Sequence, residues 1–154
     1  MLSMGVAQMP FNVDIAASTE RSIAQRILVC EDNHLIAVGL ASILAREGYA
    51  VLGPVDTGEE ALRAAFQDLP DLALLDIELA GAIDGISVAA ELHPMGVEII
   101  FVTSDYQRAA LDGREYASDI LIKPVRVNAV LNSVAAALRK KSPTERQEAV
   151  LAAS

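Results

Sequence analysis

The sequence predicts an α/β fold, a doubly wound sheet of five parallel strands with helices on both faces. Three observations predict it. Short apolar runs alternate with segments of helical period five times along the chain. The residues are 53% hydrophobic but only 4% aromatic, with no Trp, so the core is aliphatic, as strands buried on two faces require. Most of the apolar runs stop at an acid, a hydroxyl or a lysine, at the strand ends where such sheets bind ligands.

Residues 26–31 (RILVCE) form a short apolar run closed by an acid, a buried strand. Residues 35–46 place apolar side chains at 36, 40, 43 and 44, one helical face, and Gly48 stops the helix. Residues 50–55 (AVLGPV) read as an edge strand, because Pro54 has no N–H for a central ladder. An Ala-rich helix covers 59–67. Residues 71–76 (DLALLD) are a second buried strand ending in an acid, and 85–93 are a helix closed by Pro94. Residues 98–103 (EIIFVT) are the most strand-like segment in the chain. Residues 120–122 are a short strand before Lys123 and Pro124. The last helix runs from about 125 to 140, with apolar positions at 127, 130, 131, 134 and 138, before a break at Ser142 and Pro143.

The 154 residues suit one domain, over 26–140. Residues 1–25 read as a tail or accessory segment and 141–154 as a second tail. With no output domain expected after the last helix, the chain reads as a stand-alone unit. A formal net charge of −9 argues against binding a phosphate backbone. The basic cluster Arg139, Lys140 and Lys141 reads as a complement to a helix dipole. The single cysteine, Cys30, excludes an intramolecular disulfide and a Cys-based zinc cage, and reads as a buried side chain. No signal peptide and no 18-residue apolar run are present, so a cytoplasmic location without membrane contact is expected.

The strand ends carry the chemistry. They deliver Glu31 and Asp32, then Asp76, Thr103 and Lys123. Three carboxylates at one edge repel each other, and a hard divalent cation such as Mg²⁺ relieves that repulsion. A carboxylate beside the metal can take a phosphoryl group as an acyl phosphate, with Lys123 and the Thr103 hydroxyl stabilising the charge that develops. His34 reads as a solvated first-turn residue and His93 as a helix-end residue.

In the acidic pair of VCEDN, the acid of LLDIEL, the Thr-Ser of IIFVTSD and the Lys-Pro of ILIKPV, taken in order, the chain resembles the receiver domains of two-component response regulators. The resemblance covers residues 26 to about 139. It implies a flavodoxin-like strand order 2-1-3-4-5 and a phosphoprotein in signal transduction or a phosphorelay rather than an enzyme. By position, Asp76 is implied as the phosphoacceptor. The Mg²⁺ site would comprise Glu31, Asp32, Asp76 and the backbone carbonyl of Glu78. Thr103 and Lys123 would contact phosphoryl oxygens. A cis Lys123–Pro124 peptide is usual in the family. The implied partners are a sensor histidine kinase or phosphotransfer protein and an unidentified downstream protein, with a homodimer left open. The alternatives are a small Mg²⁺-dependent aspartyl-phosphate phosphatase of the haloacid dehalogenase type, disfavoured by Glu78 where that family has a second Asp, and a receiver-like module that binds without phosphorylation.

Two departures stand out. The fifth-strand position that often carries Tyr or Phe is Ile120, so no ring is available to move there. Residues 104–119 have few apolar anchors and contain Gly113, so the fourth helix is expected to be short, about 106–111, or replaced by a loose loop. Tyr106 and Tyr116 are the nearest alternative switch aromatics, although surface packing is the simpler reading of both. Residues 80–84 form a slightly long loop after Asp76, with Gly81 and Gly85 beside the pocket.

Overall fold

The computed structural model describes residues 24–141, and the tail readings concern residues outside that range apart from 24, 25 and 141. Five strands alternate with five helical segments: β1 Arg26–Cys30, α1 His34–Arg46, β2 Ala50–Val55, α2 Gly58–Gln67, β3 Leu72–Leu75, α3 Gly85–Leu92, β4 Glu98–Thr103, α4, β5 Ala117–Ile122 and α5 Val127–Arg139. The segment α4 opens as an α-helix over Tyr106–Arg108 and widens into a π-helix over Ala109–Gly113. All pairings are parallel and the strand order is β2-β1-β3-β4-β5.

The alternation of side chains along each strand divides the interior in two. Leu28, Cys30, Ala73, Leu75, Ile99 and Phe101 face α2, α3 and α4, where they pack with Ala61, Ala65, Val88, Leu92 and Ala109. Ile27, Val29, Leu72, Leu74, Ile100 and Val102 face α1 and α5, against Leu40, Leu44, Val130, Val134 and Leu138. Strand β3, central in the sheet, is buried along its whole length, as its unbroken apolar run requires.

Helix starts follow side-chain chemistry. Asn33, Thr57, Asp84 and Asp105 each accept a backbone N–H from the first turn of α1, α2, α3 and α4. After α3, His93–Met95 form a 3₁₀ turn that Gly96 closes in the left-handed region.

The structure corrects several sequence expectations. The last helix begins two residues later than expected, at Val127, and ends at Arg139. Strand β5 starts at Ala117 rather than 120; its polar first half lies at the sheet edge, and one extra residue, Ser118, interrupts the register between Ile99–Ala117 and Ile100–Asp119. The region of the fourth helix is not a loose loop. It is helical to Gly113, and the π geometry sets Gly113 against the Phe101 ring so closely that a Cβ would lie 2.6 Å from Phe101 Cε2. The Lys141 ammonium donates to the carbonyl oxygens of Gly96 and Asp71, at the amino-terminal edge of the sheet, while its backbone N–H closes the end of α5 on the Leu138 carbonyl. The Lys123–Pro124 peptide is cis as the resemblance implies, and Gly53–Pro54 is cis as well.

Candidate functional site: an acidic cleft at the strand ends

Parallel pairing brings the carboxyl ends of β1, β3, β4 and β5 to one edge, and with them every candidate side chain. Glu31 follows β1, its backbone N–H tied to Val55 O at 2.9 Å. Asp76 follows β3, its N–H tied to Cys30 O at 3.0 Å. Thr103 ends β4, and the Lys123 N–H donates to its carbonyl at 2.9 Å. These backbone bonds extend the sheet by one residue at each functional position, so the side chains sit on a rigid frame.

Lys123 is the electrostatic centre. Its Nζ lies 2.6 Å from Glu31 Oε1 and 2.8 Å from Asp76 Oδ2. The second oxygens of both acids accept backbone N–H groups, Asn33 N–H to Glu31 Oε2 at 3.0 Å and Ile77 N–H to Asp76 Oδ1 at 2.7 Å. Burial raises the Glu31 carboxyl above its usual range, against the pull of Lys123 and Asn33. For Lys123, burial works to lower its pKa, but the bonds to Asp76 and Glu31 outweigh it and the net direction is upward. Beneath the pair, burial and then the neighbouring Glu31 charge push the Cys30 thiol up to about 12, so this cysteine is packing rather than a reactive thiolate.

Asp32 is exposed at the rim. Oxygens of Glu31, Asp32 and Asp76 all lie within 4.8 Å of one another. Three carboxylates are hard oxygen donors of the kind Mg²⁺ takes, so the donor set fits that ion in its chemistry. Asp76, Glu78, Thr103, Ser104, Asp105 and Lys123 line a cleft of about 280 Å³, with Ile36 as an apolar wall. Thr103 is buried, and its Oγ1 accepts the Asp105 N–H at 3.0 Å, leaving the hydroxyl proton free to point elsewhere.

The remaining singled-out residues fall outside this constellation. His34 is an exposed first-turn residue, as expected. Ile120 is half-buried against the α2–α3–α4 side of the core. Tyr116 is not a surface ring: it packs on that same core and edge-on to His93, with ring centres 5.9 Å apart. Tyr106 is exposed, its hydroxyl accepting from Arg114 at 3.0 Å.

Sequence reasoning missed two contributors. Asn33 lines the cleft and caps α1. Asp105 lines it and caps α4. Gly85, placed beside the pocket by the sequence, packs on the end of β3, where a Cβ would lie 1.9 Å from Asp76 O. The available signal was an Asn or Asp immediately before a helical segment, a common N-cap choice.

The sequence model of the response regulator receiver domain matches residues 27–135. Among curated relatives, the transcriptional regulatory protein PdtaR of Mycobacterium tuberculosis is 28% identical over 124 residues, 79% of this chain and 60% of the relative. The transcriptional regulatory protein PrrA of Mycobacterium bovis is 34% identical over 125 residues, covering 77% and 52%. The chain therefore spans between half and two thirds of the length of these relatives. Among solved structures, the signal receiver domain of a modulated diguanylate cyclase from Desulfovibrio desulfuricans is 40% identical, with a TM-score of 0.67 over 76% of this chain and 95% of that one. The response regulator TrrA of Thermotoga maritima, solved with Mg²⁺ and BeF, is 31% identical, with a TM-score of 0.66 over 73% and 97%. With its 2-1-3-4-5 sheet and its acidic cleft at the strand ends, this chain belongs to the receiver domains of two-component response regulators.

Proposed function

We propose that the chain is a phosphorylation switch that accepts a phosphoryl group on Asp76 from a histidine kinase or a phosphotransfer protein. The observation that carries this reading is the placement of Asp76 Oδ2 in the open cleft, 2.8 Å from a lysine that also neutralises Glu31. One Asp76 oxygen attacks the phosphorus, the bond from phosphorus to the donor's nitrogen or oxygen breaks, and the donor leaves with that electron pair and is protonated by solvent. The product is an acyl phosphate. Lys123 then faces a phosphoryl oxygen, and the Thr103 hydroxyl donates its proton to another while still accepting from Asp105. Glu31, Asp32, Asp76 and the Glu78 carbonyl would hold Mg²⁺, which neutralises the charge gathered on the phosphoryl oxygens.

Output then runs through protein contacts, a reading supported by the net charge of −9, which disfavours direct contact between this domain and nucleic acid. Incubation with acetyl phosphate is expected to label the protein once per chain, only with Mg²⁺, and Asp76→Asn is expected to abolish labelling. A label that persists in Asp76→Asn would overturn the acceptor assignment. Continuous turnover of a generic phosphomonoester would favour the phosphatase reading instead.

A further inference from the structure

The loop after Asp76 is anchored from two directions. On one side stands the start of α2. There the Glu59 carboxylate accepts the Ala82 N–H at 3.3 Å, and Thr57 bridges Ala80. Gly81, at φ +90°, passes so near that a Cβ would meet Glu59 Oε1 at 2.9 Å. On the other side stands α4. Asp84 caps α3 through one oxygen, accepting the Ser87 N–H at 2.8 Å, and its other oxygen pairs with the Arg108 guanidinium.

The Arg108 contact closes a circuit round the cleft. Thr103 Oγ1 accepts from Asp105 N–H, Asp105 Oδ1 accepts from Arg108 N–H at 3.0 Å, and Arg108 pairs with Asp84. Next to Asp84, the Gly85 N–H donates to the carbonyl of Ile77, the residue after Asp76, at 2.8 Å. Arg108 also has a second acid within reach on its own segment, Asp112, with Nε 4.0 Å from the carboxylate. The guanidinium therefore has two discrete partners, one on the acceptor loop and one on α4. A segment as short as α4 is marginal without outside contacts, so the Asp84 contact bears directly on its order.

We propose that Asp84 and Arg108 are positioning residues that lock the loop behind Asp76 to α4, so that a change at Asp76 and Thr103 reaches Tyr106–Gly113 through this ion pair rather than through a ring at position 120. The proposal rests on Asp76 being the acceptor. When the Thr103 hydroxyl is drawn toward a phosphoryl oxygen, the Asp105 amide follows, and with it the cap that orients Arg108. Arg108 holds both acids at once, so losing the Asp84 contact leaves it paired with Asp112 alone and uncouples α4 from the loop behind Asp76.

The test is amide hydrogen exchange on the full chain, with and without Mg²⁺ and beryllium fluoride, in wild type, Asp84→Asn and Arg108→Gln. Asn keeps the cap on α3 and removes only the charge. Wild type is expected to change protection in both 78–85 and 106–113. In the two variants the 78–85 response is expected to remain while the 106–113 response shrinks roughly two- to fivefold, the scale of a partly exposed ion pair; Arg108→Lys is expected to retain part of it. An undiminished 106–113 response in both variants overturns the lock and leaves the acceptor reading intact. A wild type that responds in neither segment overturns both.

Discussion

The two flanks of the acidic cleft hold their shape in different ways. The β1–β3 flank is rigid and charged: Leu28, Val29, Leu74 and Leu75 are fully buried, and Glu31 and Asp76 emerge from them onto one lysine. The β4–β5 flank is rigid only as far as Thr103. Beyond it the chain makes one short turn of α-helix and a π turn, held by the Asp105 cap, one cross-loop ion pair and the Phe101 ring under Gly113. On the proposed reading, one flank binds and reacts and the other changes. Local stability drawn from few buried contacts is what a segment that moves requires.

Three perturbations separate the flanks, and the largest effect belongs to the charged one. Lys123→Met leaves Glu31 and Asp76 facing each other without a cation, and is expected to destabilise the metal-free protein by about 3–5 kcal/mol. Urea unfolding measures this, and added Mg²⁺ is expected to recover part of the loss by binding the folded state. An unchanged midpoint would mean that the β1–β3 flank does not depend on the lysine that follows β5.

On the other flank, Gly113→Ala forces a methyl into the Phe101 ring and is expected to cost about 1–3 kcal/mol. It should also speed amide exchange in 106–113 more than in 26–30. Equal acceleration in both segments would erase the contrast between the flanks.

The smallest effect is acid-dependent. The Asp84 carboxyl lies below its ordinary 3.8: burial opposes the shift, but the bonds from Ser87 and then Arg108 prevail. A lowered folded value means that its stabilisation is present above the ordinary value and disappears as pH falls through the folded one. Asp84→Asn is therefore expected to reduce stability by about 1 kcal/mol or less at neutral pH, converging with wild type below the ordinary Asp range. A gap that widens in acid would reverse the sign.

Much of this was legible in the residues themselves. Strands β2 and β4 fall where Pro54 and the EIIFVT run predict, and the four strand-end groups announce a common edge because parallel strands must align them. Ala117, Ser118 and Asp119 concealed the start of β5, since an edge strand need not be apolar and the extra Ser118 breaks the alternation. Gly113 looked like a helix breaker when read locally. Its role lies against Phe101, twelve positions earlier in the chain, as Arg108 finds Asp84 twenty-four positions away. Such partners follow from the assembled fold rather than from neighbouring letters.

The division of the interior by the sheet has a consequence for how the sequence can drift. Side chains that meet α1 and α5 do not share a compartment with those that meet α2, α3 and α4. Substitutions in opposite compartments are separated by a wall of backbone, so their costs are expected to add, whereas changes within one compartment must be compensated there. The two halves can thus be remodelled on separate schedules, one face acquiring new neighbours while the other preserves its old ones.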